Sequence, residues 1–287
     1  MSQMDYEAHL SKQRGEWNAV AGAWEKYEQW LIDNFAHFDQ ALISRAGIKP
    51  GHHVLDLGSG TGNPALAAAK LVGPAGKEVG LDVAEKMLEV ARKRAAAHGI
   101  TNVEFHSCDA GAIPYHDPMF DAATSRFCLM FIPDVMKALR GVHKSLKPGA
   151  RFTAAVWATP EKNLAFTLAM RVLKNFLQLP PMDPSAPGPF SQGSPGVLAG
   201  RMRDAGFTEA HEEPAPVTMA FPSMDFYITN MLEMAAPVKA MIDKMEEPGR
   251  GRALAAIREE AAKHQAADGS VRFNVEALIV SAVKGNA

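Results

Sequence analysis

Between Val54 and Gly62 the chain reads Val-Leu-Asp-Leu-Gly-Ser-Gly-Thr-Gly, apolar residues around an acid and then glycine at every second position. A buried parallel strand that ends in a ligand-cradling turn has this pattern. Two common chemistries do not fit it. A dinucleotide loop spaces its glycines Gly-x-Gly-x-x-Gly, whereas here Gly62 comes one position early and Asn63 stands where the third glycine belongs. A phosphate loop continues into Gly-Lys-Ser/Thr, and no lysine follows. Asp56 narrows the choice further, because a carboxylate at the mouth of the loop repels a pyrophosphate and favours a ligand carrying sulfonium and ammonium groups.

The elements around this loop must place other chemistry-bearing residues beside it. Pro64 suits the first turn of a helix, and Ala65, Leu66, Ala67, Ala68, Ala69 and Leu71 continue it with strong helix formers. Further strands are predicted over 79–82, 103–106, 120–127 and 152–157, with helices over 84–98, stopped by Gly99, and over 132–145. This alternation predicts an α/β fold, a Rossmann-like doubly wound sheet with helices on both faces. Its ligand belongs at the carboxyl ends of the strands, where Asp56, the glycines, Asp82, Asp109 and Arg126 all fall.

The flanks read differently. Residues 6 to about 46 are expected to be helical, with Trp17, Val20, Trp24, Tyr27, Trp30, Leu31 and Phe35 at three- and four-residue steps. After Trp157 a helix over 163–179 leads into a proline-rich connector over 180–195, expected to act as a lid. A sixth strand over 209–217, a helical insertion from about 224 to 263 and a closing strand over 277–284 complete the reading. Three segments result: an N-terminal helical cap over 1–48, a core over 49–158, and the rest of the sheet over 159–287 with cap insertions at about 160–195 and 224–265.

S-adenosylmethionine carries the two cations that Asp56 favours, and the Val54 to Gly62 segment resembles motif I of the class I S-adenosylmethionine-dependent methyltransferases. Four later segments resemble that family in order: Val79-Gly80-Leu81-Asp82, Cys108-Asp109-Ala110, Phe120 to Phe127, and Leu146-Lys147-Pro148-Gly149-Ala150. The resemblance covers roughly the first 160 residues. It implies seven strands with the last antiparallel, an α-helical cap, and S-adenosylmethionine as cofactor, with S-adenosylhomocysteine as product. It also implies a cofactor site of Asp56, Gly58, Ser59, Gly60, Gly62, Asp82 on the ribose hydroxyls with Val83 next to it, Asp109 on the adenine amino group and the Ala110 amide at the ring. A backbone carbonyl near Arg126 would take the cofactor ammonium, while the Arg126 side chain orients a carboxylate or the acceptor. Met87 either packs on the adenine or is ordinary core. The segment from Trp17 to Tyr27 resembles the aromatic-Val-Ala-x-x-aromatic segment of the ubiquinone/menaquinone and other small-molecule methyltransferases, in which Trp24 either closes over the cofactor or simply packs.

Composition limits the partners. The net charge is −2, with 22% charged and 47% hydrophobic residues, and no long basic run is available to hold a nucleic acid by its phosphates. A small-molecule acceptor is expected, with a cytoplasmic protein, monomer or homodimer, that lacks a leader and a membrane span. Cys108 and Cys128 read as reduced thiols, no metal site is indicated, and no catalytic base declares itself. His116 reads as a solvent-facing loop histidine. Met170, Met182, Met219, Phe221, Met224, Phe226, Tyr227, Met231, Met234, Met241 and Met245 either line an apolar acceptor pocket or form the core of the cap. Two other functions share these features: a catalytically silent S-adenosylmethionine-binding regulator and a nicotinamide-dependent oxidoreductase.

If Asp82 holds the ribose hydroxyls, Asp82→Ala removes charge-assisted hydrogen bonds worth roughly 1.5 to 3 kcal/mol. Cofactor affinity measured by calorimetry then falls about ten- to a hundredfold. Unchanged affinity in a folded variant would mean that the second strand is misplaced.

Overall fold

The computed structural model describes residues 3–178 and 186–286. At its centre β1 (His53–Leu57) pairs in parallel with β2 (Lys77–Asp82) on one side and β4 (Phe120–Arg126) on the other. β3 (Val103–Ser107) extends the parallel sheet beyond β2, and β5 (Leu146–Trp157) beyond β4. β7 (Val271–Lys284) then runs antiparallel between β5 and β6 (Phe207–Phe221). The order is β3-β2-β1-β4-β5-β7-β6, so the chain reverses direction in the sheet between β1 and β4. Such a reversal opens a crevice at the carboxyl ends of the two strands.

The sequence of β1 shows why both faces are covered. Val54 packs with Ala68 and Val72 of α3 (Ala65–Val72), whereas Leu55 and Leu57 join the large cluster that includes Phe38 and Leu42 of α2 (Glu28–Arg45). Successive strand side chains point to opposite faces, so a run buried at every position needs helices on both. α4 (Glu85–Ala97) places Leu88 and Ala91 on Leu66 and Phe105. α5 (Val135–Ser145) starts at Asp134, whose carboxylate accepts the Lys137 amide at 2.9 Å, and buries Ala138, Leu139 and Val142.

Several predicted boundaries shift. The N-terminal helix breaks at Tyr27 into α1 (Gln3–Lys26) and α2. β4 stops at Arg126, one residue early, because Phe127 turns to a left-handed φ of 55°. β5 begins at Leu146, so the expected turn at 146–150 lies within the strand. Leu146 pairs with Phe120 and Arg151 with Ala122, and a register irregularity between these pairs absorbs Pro148 and Gly149. Helix α6 (Leu164–Leu173) is shorter than predicted. Mutual pairing prolongs the last strands: β6 extends to Phe221 and β7 starts at Val271, and these two residues are partners.

α7 (Val197–Asp204) precedes β6, and the later insertion forms α8 (Met224–Met234), α9 (Ala236–Asp243) and α10 (Gly249–Ala262). Part of the proline-rich connector, with Met182, lies outside the described residues. Among the described residues no helix is long and apolar enough to cross a membrane.

Glu78 of β2 is fully buried, and neither carboxyl oxygen has a hydrogen-bond partner. Burial, followed by the nearby Asp56 charge, holds its carboxyl well above the usual glutamate range. A raised folded-state pKa contributes stability below the unfolded value and loses it as pH rises through the folded value. Glu78→Gln should therefore gain stability on the parent protein between about pH 5 and about pH 9. Denaturant midpoints at the two pH values check this, and parallel pH dependences for the two proteins would refute it.

Candidate functional site

At the end of β1 the backbone turns through Gly58, Gly60 and Gly62, all at positive φ. Glycine at 58 is required twice, by its φ of 75° and by space, since a Cβ there would lie 2.2 Å from Cys128 Cβ. A Cβ on Gly60 would meet nothing within 4 Å, which leaves the crest of the loop bare towards the crevice. The amides of the loop are already engaged. Those of Gly58 and Ser59 donate to Leu81 O at 2.7 and 3.0 Å, that of Gly62 to Ser59 O at 2.8 Å, and that of Gly60 to Asp82 Oδ2 at 2.9 Å. These amides are therefore turned into the protein, unlike those of a phosphate cradle.

Asp82 closes this arrangement. Its second oxygen accepts the Ala84 amide at 2.9 Å, so one carboxylate fixes both the loop and the entry to α4. Burial raises its pKa, and the amides of Ala84, Gly60 and Val83 oppose the rise. Asp109, after β3, accepts the Gly111 amide at 2.8 Å and lies on the same wall. Two acids thus face one crevice.

The only lining cation among the described residues, Arg126, is already paired. Its Nη1 lies 2.7 Å from Asp39 Oδ1, and both side chains are buried. Asp39 Oδ2 accepts Asn63 Nδ2 at 3.0 Å. One carboxylate on α2 therefore joins the end of β4 to the end of the glycine loop. With Arg126 neutralised, the pocket keeps the negative charge of Asp82 and Asp109 and favours a cationic ligand.

The roof comes from α1, where Leu10, Gln13, Trp17 and Trp24 follow helical spacing and line the pocket. Gln13 Nε2 donates to Phe131 O. Trp17 packs edge-on to Phe131 at 5.2 Å and to Trp24 at 6.1 Å. Phe35, Phe127, Phe131, Ile132 and Pro133 complete an apolar half opposite the two acids. Phe127, strained at its positive φ, stacks on Trp157 at 3.9 Å and 9°.

Ten of the twelve residues expected from sequence meet at this pocket: Trp24, Gly58, Ser59, Gly60, Asp82, Val83, Met87, Asp109, Ala110 and Arg126. Met87 lines the pocket and also packs in a small core with Val20 and Ala21. Asp56 and Gly62 do not line it. Asp56 is 0% exposed beneath the loop, where it accepts Thr124 Oγ1 at 2.7 Å and burial pushes its carboxyl up to about 7. Its part is structural, and the selection for positive charge falls to Asp82 and Asp109. Gly62 instead packs against α3, where a Cβ would come within 2.9 Å of Leu66.

The described methionines follow the second of their two readings, the core of the cap. Met219 and Met231 are buried, Met170, Met224, Met234, Met241 and Met245 pack against the main core, and none of them lines the pocket. They fill the gaps between cap helices and sheet. No histidine lines the pocket among the described residues, and His116 is exposed. The lining thiols are poor nucleophiles: burial, then Asp109, pushes Cys108 up to about 11, and burial, then Asp82, raises Cys128 as well. Sequence reasoning missed Asp39, Asn63 and Gln13, whose partners lie 24 or more residues away and leave no local pattern.

Residues 48–175 match a family model described as a methyltransferase domain. The chain is 34% identical over 181 residues to a ubiquinone/menaquinone biosynthesis C-methyltransferase of Cellvibrio japonicus, covering 59% of this chain and 73% of that protein. It is 37% identical over 123 residues to the protein of that description from a Marinomonas species, covering 42% of this chain and 49% of the relative. The chain thus spans only about half the length of several curated relatives it matches. Its fold matches that of the YcgJ protein of Bacillus subtilis with a TM-score of 0.57 at 20% identity, over 88% of this chain and all of that one.

Asp39→Ala leaves the Arg126 guanidinium buried without its partner, which should cost about 3 to 5 kcal/mol of folding stability. Asp39→Asn keeps a hydrogen-bond acceptor and should cost less. Urea unfolding of both variants reads the difference; equal, small losses would show that Arg126 finds another anion.

Proposed function

The chain belongs to the S-adenosylmethionine-dependent methyltransferases, and on that premise we propose that it methylates a small apolar or aromatic acceptor held under α1. The cofactor supplies a methyl group on a sulfonium, open to in-line displacement. The proposed cofactor site is the segment over 49–158, with the Gly58–Gly60 crest, Asp82 and Val83 at the ribose, and Met87, Asp109 and Ala110 at the adenine. The segments over 1–48 and 159–287 serve as cap and sheet support. Two anionic side chains beside an engaged glycine loop carry this reading, because they oppose a pyrophosphate and suit a cation.

What the chain contributes to the reaction is mainly position. Asp82 and Asp109 fix the two ends of the nucleoside, and the Asp39–Arg126–Asn63 link holds the floor between β1 and β4. Trp17, Trp24 and Phe131 exclude water over the reacting groups and supply flat surfaces for a ring. Holding two reactants in attack geometry is worth about 7 to 11 kcal/mol in favourable cases. Charge is dispersed as the sulfonium is lost, so a dry pocket suits the step. That these relatives are C-methyltransferases of ubiquinone/menaquinone biosynthesis makes ring carbons of phenols and hydroquinones the first acceptors to test here, ahead of amines and thiols.

Calorimetry should give micromolar binding of S-adenosylmethionine and S-adenosylhomocysteine and none of reduced nicotinamide. Labelled-methyl transfer over a panel of phenols and hydroquinones then identifies the acceptor; binding without transfer to any class of acceptor would support a silent regulator instead. With an acceptor in hand, Trp17→Ala should raise its KM about tenfold or more. S-adenosylhomocysteine affinity should stay within about twofold. A loss confined to the cofactor would move Trp17 out of the acceptor site.

A further inference from the structure

Tyr6 is not among the residues that line the pocket, yet it reaches Asp109 on the pocket wall. Its hydroxyl donates to Asp109, lying 2.7 Å from Oδ1 and 2.8 Å from Oδ2, across 103 positions of chain. Oδ1 also accepts the Gly111 amide at 2.8 Å, whereas Oδ2 accepts from the hydroxyl. A carboxylate oxygen accepts from more than one donor, so Oδ2 keeps capacity for a second one. The contact needs glycine at 111, since a Cβ there would lie 2.3 Å from the Tyr6 oxygen. Lys137 Nζ lies 5.6 Å from the centroid of the Tyr6 ring.

Tyr6 is also the first fastening of the roof. Leu10, Gln13 and Trp17 follow on α1 and line the pocket, and Gln13 makes the second fastening at Phe131 O. The roof is thus pinned to the ends of both β3 and β4. A group that competed with ligand for Asp109 would line the pocket, and Tyr6 is not among the lining residues.

We propose that Tyr6 is a positioning residue for base recognition: it holds Asp109 with Oδ2 presented to an exocyclic amino group and by the same bond fastens α1 over the bound nucleoside. Reading the base and closing the roof are then one event. The proposal rests on the reading of Asp109 as the acceptor of the adenine amino group. It adds that the acid is oriented from the N-terminal helix.

Tyr6→Phe removes only the hydroxyl, and Gly111→Ala displaces it from the other side. Both are titrated by calorimetry with S-adenosylhomocysteine and with its purine counterpart lacking the 6-amino group. Tyr6→Phe should weaken S-adenosylhomocysteine about five- to tenfold and raise its off-rate, read from the fluorescence of Trp17 and Trp24. Gly111→Ala should do the same, and the counterpart lacking the amino group should change by less than about twofold in either variant. Equal losses for the two ligands would reduce Tyr6 to a roof fastening and overturn the proposal, as would unchanged S-adenosylhomocysteine affinity. Failure of the parent protein to bind S-adenosylhomocysteine would instead remove the cofactor reading, and this proposal with it.

Discussion

The bond from the Gly60 amide to the Asp82 carboxylate, 2.9 Å long, ties the glycine loop to the neighbouring strand. Parallel pairing of β1 with β2 brings Leu57 beside Leu81, so that the loop leaving one strand passes over the end of the other. Without an acceptor there, a turn with three positive-φ glycines would be free to sample many conformations, which costs entropy when it is fixed. Asp82 supplies that acceptor and keeps its negative charge at the pocket. The same residue therefore shapes the loop and selects what the loop can hold.

A second constraint acts from the opposite side. Arg126 ends β4 with a cation that would cancel the acidic character of the crevice, and Asp39 reaches from α2 to pair with it. Removing two charges from water is worthwhile only when hydrogen bonds satisfy both, and Asn63 takes the second carboxylate oxygen. Helix α2 is held at its other side by Trp30 Nε1 and Asn34, which bond the backbone of Ala220 at the end of β6. The pocket floor is thus braced against the far edge of the sheet.

The two halves of the pocket differ in kind. Strand ends supply the acids, positioned by backbone pairing and caps, which suits a ligand of fixed shape. Aromatic residues on α1 and after β4 supply the apolar half, positioned by side-chain packing and by few hydrogen bonds to the sheet. Packing of this sort tolerates changes of shape better than a hydrogen-bonded wall, since it imposes no directional requirement. On the proposed function, the wall built on backbone would hold the cofactor and the wall built on rings the acceptor.

Much of this was legible in the sequence by itself. Apolar runs ending in Asp56, Asp82 and Arg126 determined the parallel strands and their order of use, and the glycine spacing determined the loop, because strand periodicity and φ requirements are local properties. Eight of the expected residues, Gly58, Ser59, Gly60, Asp82, Val83, Asp109, Ala110 and Arg126, reach the pocket for that reason. Tertiary structure alone decided the rest. A run such as 54–57 is buried at every position, and nothing local says whether its acid faces a ligand or the core; Asp56 is sealed under Thr124. Methionines at helical spacing look the same whether they line a cavity or fill a core, and the packing of the cap on the sheet settled that they fill it. Asp39, Tyr6 and Gln13 acquire their roles from partners 87, 103 and 118 positions away, a distance over which side-chain type and spacing carry no signal until the chain has folded.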